Sequence, residues 1–338
     1  MKTWLPELLI AVVLVLTAVF AQAQQAAKVP QIGYLNTHIR RSTSSPSDWP
    51  RRLREPFLEG LLELGYVDGQ NIIINSRIGE DGQFRELAAE LVRLKMDVIV
   101  AQPPAIRAAM SATTTIPIVT IFRGDPVLSG FVASLERPGG NVTGIGGLTM
   151  ELGGKWLELI KETIPSAKQV AVFWNRRAEE AFPLWRSVDS TARALGVNIQ
   201  WLEAGPGSGL ERSPGFLDKK LRLAAWRQAD AFIVLGGIAN TAMEYIAEFG
   251  LRNRIPGIFW TTDLDMERGG LMAYGANRFE QSRRAAYFVD KILKGAKPAE
   301  LPVELPKSFE FVINLKAAKE IGITIPPRVL AWADRVIK

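Results

Sequence analysis

Residues Ile116–Gly147 read IPIVTIFRGDPVLSGFVASLERPGGNVTGIGG, and this stretch decides the fold. Its first part, Ile116–Phe122, is a short apolar run rich in β-branched side chains, which is typical of a strand buried on both faces of a parallel sheet. Because Asp is a favoured N-cap and Pro a favoured first helical residue, Asp125 and Pro126 predict a helix that runs to about Glu136. The polar turn between strand and helix then lies at the carboxyl end of a buried strand, where open α/β sheets bind ligands.

The composition of the 338-residue chain excludes several classes of function. The net charge is +6, but Lys and Arg are scattered over the predicted helices, so we expect no nucleic-acid partner. Cysteine is absent and His38 is the only histidine. The chain alone therefore cannot build a disulfide, a thiolate zinc site, a hydrolase triad or a multi-histidine metal site. We expect no cofactor and no metal.

The N-terminus has the pattern of a secretory signal. Lys2 supplies a positive charge, Leu8–Phe20 is apolar, and Ala21, Gln22 and Ala23 fit a small-x-small cleavage site. The apolar run of about 13 residues is shorter than the roughly 20 that span a bilayer. We expect a signal peptide over 1–23, cleavage near Ala23, and an exported soluble protein in a bacterial periplasm.

Strands and helices alternate along the rest of the chain with short links, which predicts parallel sheets covered by helices on both faces. The other predicted strands are Gln31–Leu35, Asn71–Asn75, Asp97–Ala101, Gln169–Trp174, Asn198–Leu202, Asp230–Leu235 and Ile255–Trp260. The main predicted helices are Leu53–Leu64, Gln83–Leu94, Glu179–Leu195, Phe216–Gln228, Ala239–Arg252 and Phe279–Leu293, with short helices within Ile313–Ile337.

Landmarks of the first half recur in the second half at offsets of 131, 133 and 139 residues. The matching pairs are Gly65 and Gly196, Asp97 and Asp230, and Pro117 and Pro256. Near-constant offsets favour a duplicated unit. The sequence therefore predicts two doubly wound, Rossmann-like lobes whose strand ends face each other across a cleft.

Two segments are predicted to connect the lobes. The first is Gly140–Gly144, with Asn141, Val142 and Thr143 as a hinge between glycines, and the second is Leu271–Gly275, with Tyr274. The first lobe is then expected to comprise 28–143 and about 275–300, and the second 144–274 and about 301–338. The helix Phe279–Leu293 is expected to pack back on the first lobe.

Several longer segments together resemble one family. They are ELGYVDGQNI (63–72), LAAELVRLKMDVIVA (87–101), TIPIV (115–119), GDPVLSGFVASLERPGGNVTG (124–144), GGLMAYG (269–275) and YFVDKILKGAKPAELPVE (287–304). They are similar to the ABC-transporter substrate-binding proteins of the group that includes tryptophan- and tyrosine-binding lipoproteins. The resemblance covers essentially the whole mature chain.

The resemblance implies a type I periplasmic-binding fold that captures a small solute between two lobes and delivers it to a membrane permease. Aromatic amino acids are the usual known ligands of the group. This chain lacks the lipidated cysteine of the lipoproteins, which is consistent with a freely diffusing periplasmic form. We also expect a monomer. It also has Gln102, Pro103 and Pro104 where relatives often carry a small residue or Thr before a single Pro.

Loops at the carboxyl ends of strands in both lobes should line the cleft. In the first lobe these candidates are Asn36, Thr37, His38, Gln102, Pro103, Phe122, Arg123 and Asp125; in the second they are Asn175, Arg176, Gly236, Gly237, Asn240, Thr241, Thr261, Thr262 and Asp263.

A guanidinium at Arg123 could bind a carboxylate through two hydrogen bonds, and Asp125 or Asp263 could pair with an ammonium. Such a set suits an amino acid or another carboxylate. Arg123 could equally be a surface cation, Asp125 a structural N-cap, and His38 a solvent-exposed side chain.

Trp174 and Trp260, at the ends of strands, could pack in a core or form an aromatic wall. Two other functions share these features. One is a ligand-sensing receptor module, and the other is a secreted α/β hydrolase, although no G-x-S-x-G nucleophile motif is present.

Overall fold

The computed structural model describes residues 29–37, 49–79, 82–147, 152–176, 178, 181–204, 228–238, 240–261, 266 and 269–338, without the side chains of 49–53, 181, 240 and 241. Within these residues the chain forms two sheets, one of five strands and one of seven. The predicted signal peptide and the predicted helix Phe216–Gln228 lie outside the described residues.

The first lobe is built on the five-stranded sheet, in which every paired strand is parallel. Its strands, in the spatial order β2-β1-β3-β4-β5, are numbered along the chain as β1 (Gln31–Thr37), β2 (Ile73–Gly79), β3 (Val98–Ala101), β4 (Ile118–Phe122) and β5 (Val142–Gly146). Its helices are α1 (Trp49–Glu63), α2 (Phe84–Arg93), α3 (Ile106–Ala112) and α7 (Arg278–Leu293).

Helices cover this sheet on both faces. Ile32 and Tyr34 of β1 pack in a core with Phe57 of α1, and α7 completes the same cluster. Leu35 packs on the other side, in a core that contains Leu91 of α2. Alternate side chains of one strand thus enter two cores, as expected of a doubly covered sheet. The predicted return of the helix near 279–293 to the first lobe is confirmed.

The second lobe is built on the seven-stranded sheet, in the spatial order β12-β11-β10-β9-β8-β6-β7. Its strands are β6 (Gln169–Trp174), β7 (Asn198–Glu203), β8 (Ala231–Val234), β9 (Gly257–Phe259), β10 (Met272–Ala276), β11 (Phe309–Asn314) and β12 (Arg335–Ile337). Its helices are α4 (Leu152–Thr163), α5 (Ala181–Leu195), α6 (Asn240–Arg252), α8 (Leu315–Ile321) and α9 (Pro327–Leu330).

The C-terminal part of this sheet departs from the prediction. The short helices predicted within Ile313–Ile337 form as α8 and α9, but β11 and β12 add two strands that the sequence does not predict, and β11 runs antiparallel to β10. The chain returns from the first lobe after a single helical turn at Pro298–Glu300 and enters the sheet from the opposite direction. Helix α4 is also absent from the sequence-based prediction.

The landmarks shared by the two halves have matching roles. Asp97 Oδ2 accepts a hydrogen bond from the Gln31 amide at 2.8 Å, and Asp230 Oδ2 accepts one from the Gln169 amide at 2.9 Å. Each carboxylate thus ties the start of one strand to the start of its neighbour. Gly65 follows its helix with φ 87° and Gly196 with φ 63°. The two predicted doubly wound lobes are confirmed.

The predicted helix from Asp125 to Glu136 is wrong. Asp125 does cap a turn, because its Oδ1 accepts from the amides of Val127 and Leu128 at 2.8 and 3.0 Å. The turn stops at Gly130, which has φ 70°, and the chain continues without regular structure. Glycine adopts this left-handed conformation at little cost and so ends the turn before a helix can propagate.

The predicted hinge positions lie inside the sheets. Val142 and Thr143 pair with β4 as part of β5, and the Asn141 carbonyl accepts from the Ile118 amide at 2.7 Å. Tyr274 lies within β10 of the second sheet. The connections therefore come after β5, between β10 and α7, and before β11, and the crossings at Gly140–Gly144 and Leu271–Gly275 are corrected.

Candidate functional site

The carboxyl ends of strands from both lobes meet at one small cavity. Its volume is about 30 Å³. It is lined by Pro103, Ile121, Phe122, Arg123 and Gly147 from the first lobe, by Trp260 and Ala276 from the second, and by Arg278 and Gln281 from α7. The strand tips of the two sheets therefore face each other, as the sequence predicts.

A direct contact between the lobes lies at this cavity. The Arg123 guanidinium, which follows β4, is 5.7 Å from the centroid of the Trp260 ring, which follows β9. A guanidinium over an indole face is attracted by the ring quadrupole. The contact thus places a cation and an aromatic wall on opposite sides of the cleft.

A buried polar group lies behind the first-lobe rim. Gln102 follows β3, and its Nε2 donates to the Tyr34 hydroxyl at 3.5 Å. Burial raises the pKa of the Tyr34 phenol to about 12, although hydrogen bonds with Gln102 and Ser282 oppose the shift. The phenol is therefore neutral at physiological pH. Gln102 Oε1 is buried and has no hydrogen-bond partner in the described part of the chain.

Of the candidate residues from sequence, the structure brings Pro103, Phe122 and Arg123 to the cavity. Asp125 is one turn away, where its carboxylate caps backbone amides. This bonding matches the structural alternative that the sequence leaves open for Asp125.

Several other candidates hold the rims together instead of lining the cavity. Asn36 Oδ1 accepts from the Thr37 amide at 2.8 Å at the end of β1. Asn175 Nδ2 donates to the Gly237 carbonyl at 2.8 Å and so ties the end of β6 to the loop after β8. Arg176 has a 68% exposed side chain and lies 3.7 Å from a carboxylate oxygen of Glu203.

The remaining candidates fall into two groups. Gly236 and Thr261 are buried and do not line it. His38, Thr262 and Asp263 lie outside the described residues, as do the side chains of Asn240 and Thr241.

The sequence-based site omits Arg278 and Gln281, which begin α7. The signal that could have found them is Asn277, whose Oδ1 accepts from the amides of Phe279 and Glu280 at 3.0 and 3.1 Å. Asn is a favoured N-cap, so it marks the helix start one residue before the prediction. Because α7 begins where the chain leaves the second lobe, its first turn lies at the cleft.

The part of the cleft that the structure describes offers no cluster of metal ligands. Among the described residues, no group of three or more His, Cys, Asp or Glu side chains could hold a metal ion. No helix in the same set of residues is long and apolar enough to cross a membrane. Two similar lobes with an aromatic and cationic cleft between them define a two-lobed solute-binding protein.

The chain belongs to the ABC transporter substrate binding protein family, whose model matches residues 48–337. It is 26% identical over 276 residues to a tyrosine-binding protein of Clostridioides difficile (strain R20291), covering 80% of this chain and 77% of the relative. The family resemblance expected from the sequence is thereby confirmed.

Solved structures agree with the fold. A conserved domain protein from Vibrio cholerae superposes with a TM-score of 0.77 at 28% identity, covering 91% of this chain and 100% of that structure. An ABC domain from Streptococcus pneumonia, in complex with L-Trp, superposes with a TM-score of 0.76 at 24% identity, covering 91% and 99%.

Proposed function

We propose that this chain is an exported solute receptor of an ABC importer and that it binds a carboxylate-bearing small molecule, with an aromatic amino acid favoured. The observation that carries the proposal is the cleft contact between Arg123 and Trp260, 5.7 Å apart on opposing rims. Arg is suited to a carboxylate because its guanidinium donates two parallel hydrogen bonds. The aromatic rings beside it suit an apolar side chain.

The similarity to proteins described with tyrosine and with L-Trp supports the aromatic class. Pro103 and Phe122 supply apolar surface beside Arg123. Ligand contact by the other candidate residues except Asp125, including those outside the described part of the chain, is a proposal of the same kind.

The cavity volume supports binding by movement of the lobes. It is about 30 Å³, whereas sites for small molecules enclose about 300–1,000 Å³. An amino acid therefore requires a wider cleft than the described one. We propose that the connections between β10 and α7 and before β11 bend to open it.

The proposed receptor is exported, works with a membrane permease and acts as a single chain. The N-terminal pattern supports export to a periplasm with cleavage near Ala23. Family membership supports delivery of an unmodified solute to a membrane permease, without catalysis. We propose that the mature receptor is a monomer.

A calorimetric titration tests this function. L-tyrosine and L-tryptophan are titrated into the mature chain, and thermal unfolding is followed with each ligand in excess. Binding that stabilises the fold supports the proposal, since a ligand at about 100 times its Kd adds about 2.7 kcal/mol. Binding should fall sharply in Arg123→Ala and persist in Arg193→Ala, a 78% exposed arginine that pairs with Asp189. Chemical turnover of the ligand, or binding unaffected by Arg123→Ala, would contradict it.

A further inference from the structure

Trp260 and Trp156 are both buried tryptophans of the second lobe, but they differ in the hydrogen bonding of the indole N–H. It is only 7% exposed and lines the cleft cavity. Its Nε1 is buried and has no hydrogen-bond partner among the residues described. Trp156, fully buried in the same lobe, donates its Nε1 to the Tyr274 carbonyl at 2.6 Å. Buried donors are almost always hydrogen-bonded, so the Trp260 donor calls for an explanation.

The position of this donor indicates what it could bind. The ring of Trp260 has the Arg123 guanidinium 5.7 Å from its centroid, while its N–H points outward in the ring plane. Trp260 and Arg123 both line the cavity, so one group bound there can approach both the N–H and the guanidinium. A carboxylate suits this position, because one of its oxygens can accept from the N–H while its negative charge is attracted to the guanidinium.

We infer that the indole N–H of Trp260 donates to the carboxylate of the bound solute and makes Trp260 a specificity-determining residue. This inference rests on the proposed function and adds a named donor on the second lobe. It assigns the two rims different tasks: Arg123 supplies charge from the first lobe, and Trp260 supplies a directed hydrogen bond from the second. A solute that lacks the carboxylate leaves this donor buried without a partner.

The test compares L-tyrosine with L-tyrosinamide, in which a neutral amide replaces the carboxylate. Trp260→Phe keeps an aromatic ring and removes the N–H. We expect it to reduce the preference for L-tyrosine over L-tyrosinamide roughly tenfold, since a hydrogen bond to a charged group is about twice as strong as a neutral one. The matched control is Trp201→Phe: Trp201 lies within β7 of the same sheet, packs against the second-lobe core with its ring 5.2 Å from the Trp174 ring, and should leave the preference unchanged.

A second measurement uses the unaltered protein, in case Trp260→Phe fails to fold. Eight of the nine tryptophans remain after cleavage near Ala23, because Trp4 lies in the proposed signal peptide, and they give eight indole signals in a ¹⁵N–¹H spectrum. The Trp260 signal is assigned from its loss in any folded variant of that residue or by sequential methods. L-tyrosine should shift this signal downfield, as a new hydrogen bond does. An unmoved signal, or an unchanged preference in folded Trp260→Phe, overturns the inference while leaving the receptor function standing. A wild-type chain that binds neither L-tyrosine nor L-tryptophan overturns both.

Discussion

Two neighbouring residues of the first-lobe rim have different tasks. Arg123 lines the cleft, whereas the Asp125 carboxylate bonds the amides of Val127 and Leu128. Both were candidates for ligand contact because both follow a buried strand. Both amides bond the same oxygen, Oδ1, so the Asp125 carboxylate is held at the turn as a cap.

Asp125→Ala should therefore lower stability and leave solute affinity unchanged. Loss of a capping oxygen costs about 1 kcal/mol. Asp125→Asn keeps an oxygen that can accept the same bonds, so most of the stability should remain. Urea unfolding measures the first effect and calorimetry with L-tyrosine the second. A large loss of affinity in both variants would show that the carboxylate contacts the solute.

At the scale of elements, the packing of α1 on α7 closes one face of the first lobe. Gly60 of α1 makes this close approach possible, because a Cβ built at that position would lie 2.4 Å from the Arg283 carbonyl oxygen. The backbone of α7 cannot move aside as a side chain could. The two helices therefore need a residue without a side chain at this point.

Gly60→Ala should push the helices apart and destabilise the lobe by about 1–3 kcal/mol, which is typical of overpacking. The matched control is Gly140→Ala, since an added Cβ there would meet no atom within 4 Å. Chemical unfolding of both variants measures the difference. Equal stability of the two variants would mean that the helices separate without cost.

A second link between elements joins α7 to the segment beside β5. Arg284 Nε and Nη2 donate to the two carboxylate oxygens of Glu304 at 2.9 and 2.6 Å. These hydrogen bonds from Arg284 lower the pKa of Glu304. The backbone of Glu304 also bonds Gly144 and Gly146, which extends the edge of the first sheet.

The lowered pKa of Glu304 determines the pH range in which its ion pair with Arg284 stabilises the fold. The stabilisation is present above the pKa of an unfolded Glu, about 4.3, and is lost as the pH falls through the lower folded pKa. Glu304→Gln should cost about 0.5–1 kcal/mol at pH 7, with the loss disappearing in acid. Glu300→Gln, at a 74% exposed residue paired with Lys297 at 3.9 Å, serves as control. A loss that persists unchanged at pH 3 would contradict this account.

The sequence predicts those strands and helices whose formation depends mainly on residues close together in the chain. Buried parallel strands such as β4 and β6 are predictable because short apolar runs between turn residues have few other uses. The pairing of β11 depends on residues that are distant in the chain, so the direction of this strand could not be predicted from the sequence of the strand itself. The predicted helix after Asp125 is wrong because Asp125 does cap a turn, but Gly130 ends that turn before a helix can form. Arg278 and Gln281 were missed because they reach the cleft from a distant helix.

At the scale of the whole molecule, the two lobes are similarly built halves that meet at their strand tips. Asp97 and Asp230 make the same backbone contacts in each half. At the cleft, Arg123 of the first lobe contacts the ring of Trp260 of the second. Two rigid halves with a small contact between them favour movement about the connections.

Lobe closure can be measured because the chain has no cysteine. Spin labels at Leu128→Cys and Phe182→Cys, which are 71% and 62% exposed, report the distance between the rims. Both positions follow carboxyl ends of strands. We expect the free chain to sample the opened cleft that admits an amino acid, and bound L-tyrosine to hold the lobes together, so the distance distribution should shift to shorter, narrower values. A pair within the first lobe, Leu62→Cys and Leu128→Cys, should stay unchanged. Identical distributions with and without L-tyrosine would rule out closure.

The order of the segments along the chain has a consequence for how the protein is made. The core that contains Phe57 is completed by Phe288 and Val289 of α7, and the second sheet is completed by β11 and β12. While the ribosome is still adding residues before α7, neither lobe holds all of its core. The nascent polypeptide therefore cannot fold completely until synthesis is nearly finished. This delay would keep the chain unfolded enough to pass through a translocation channel.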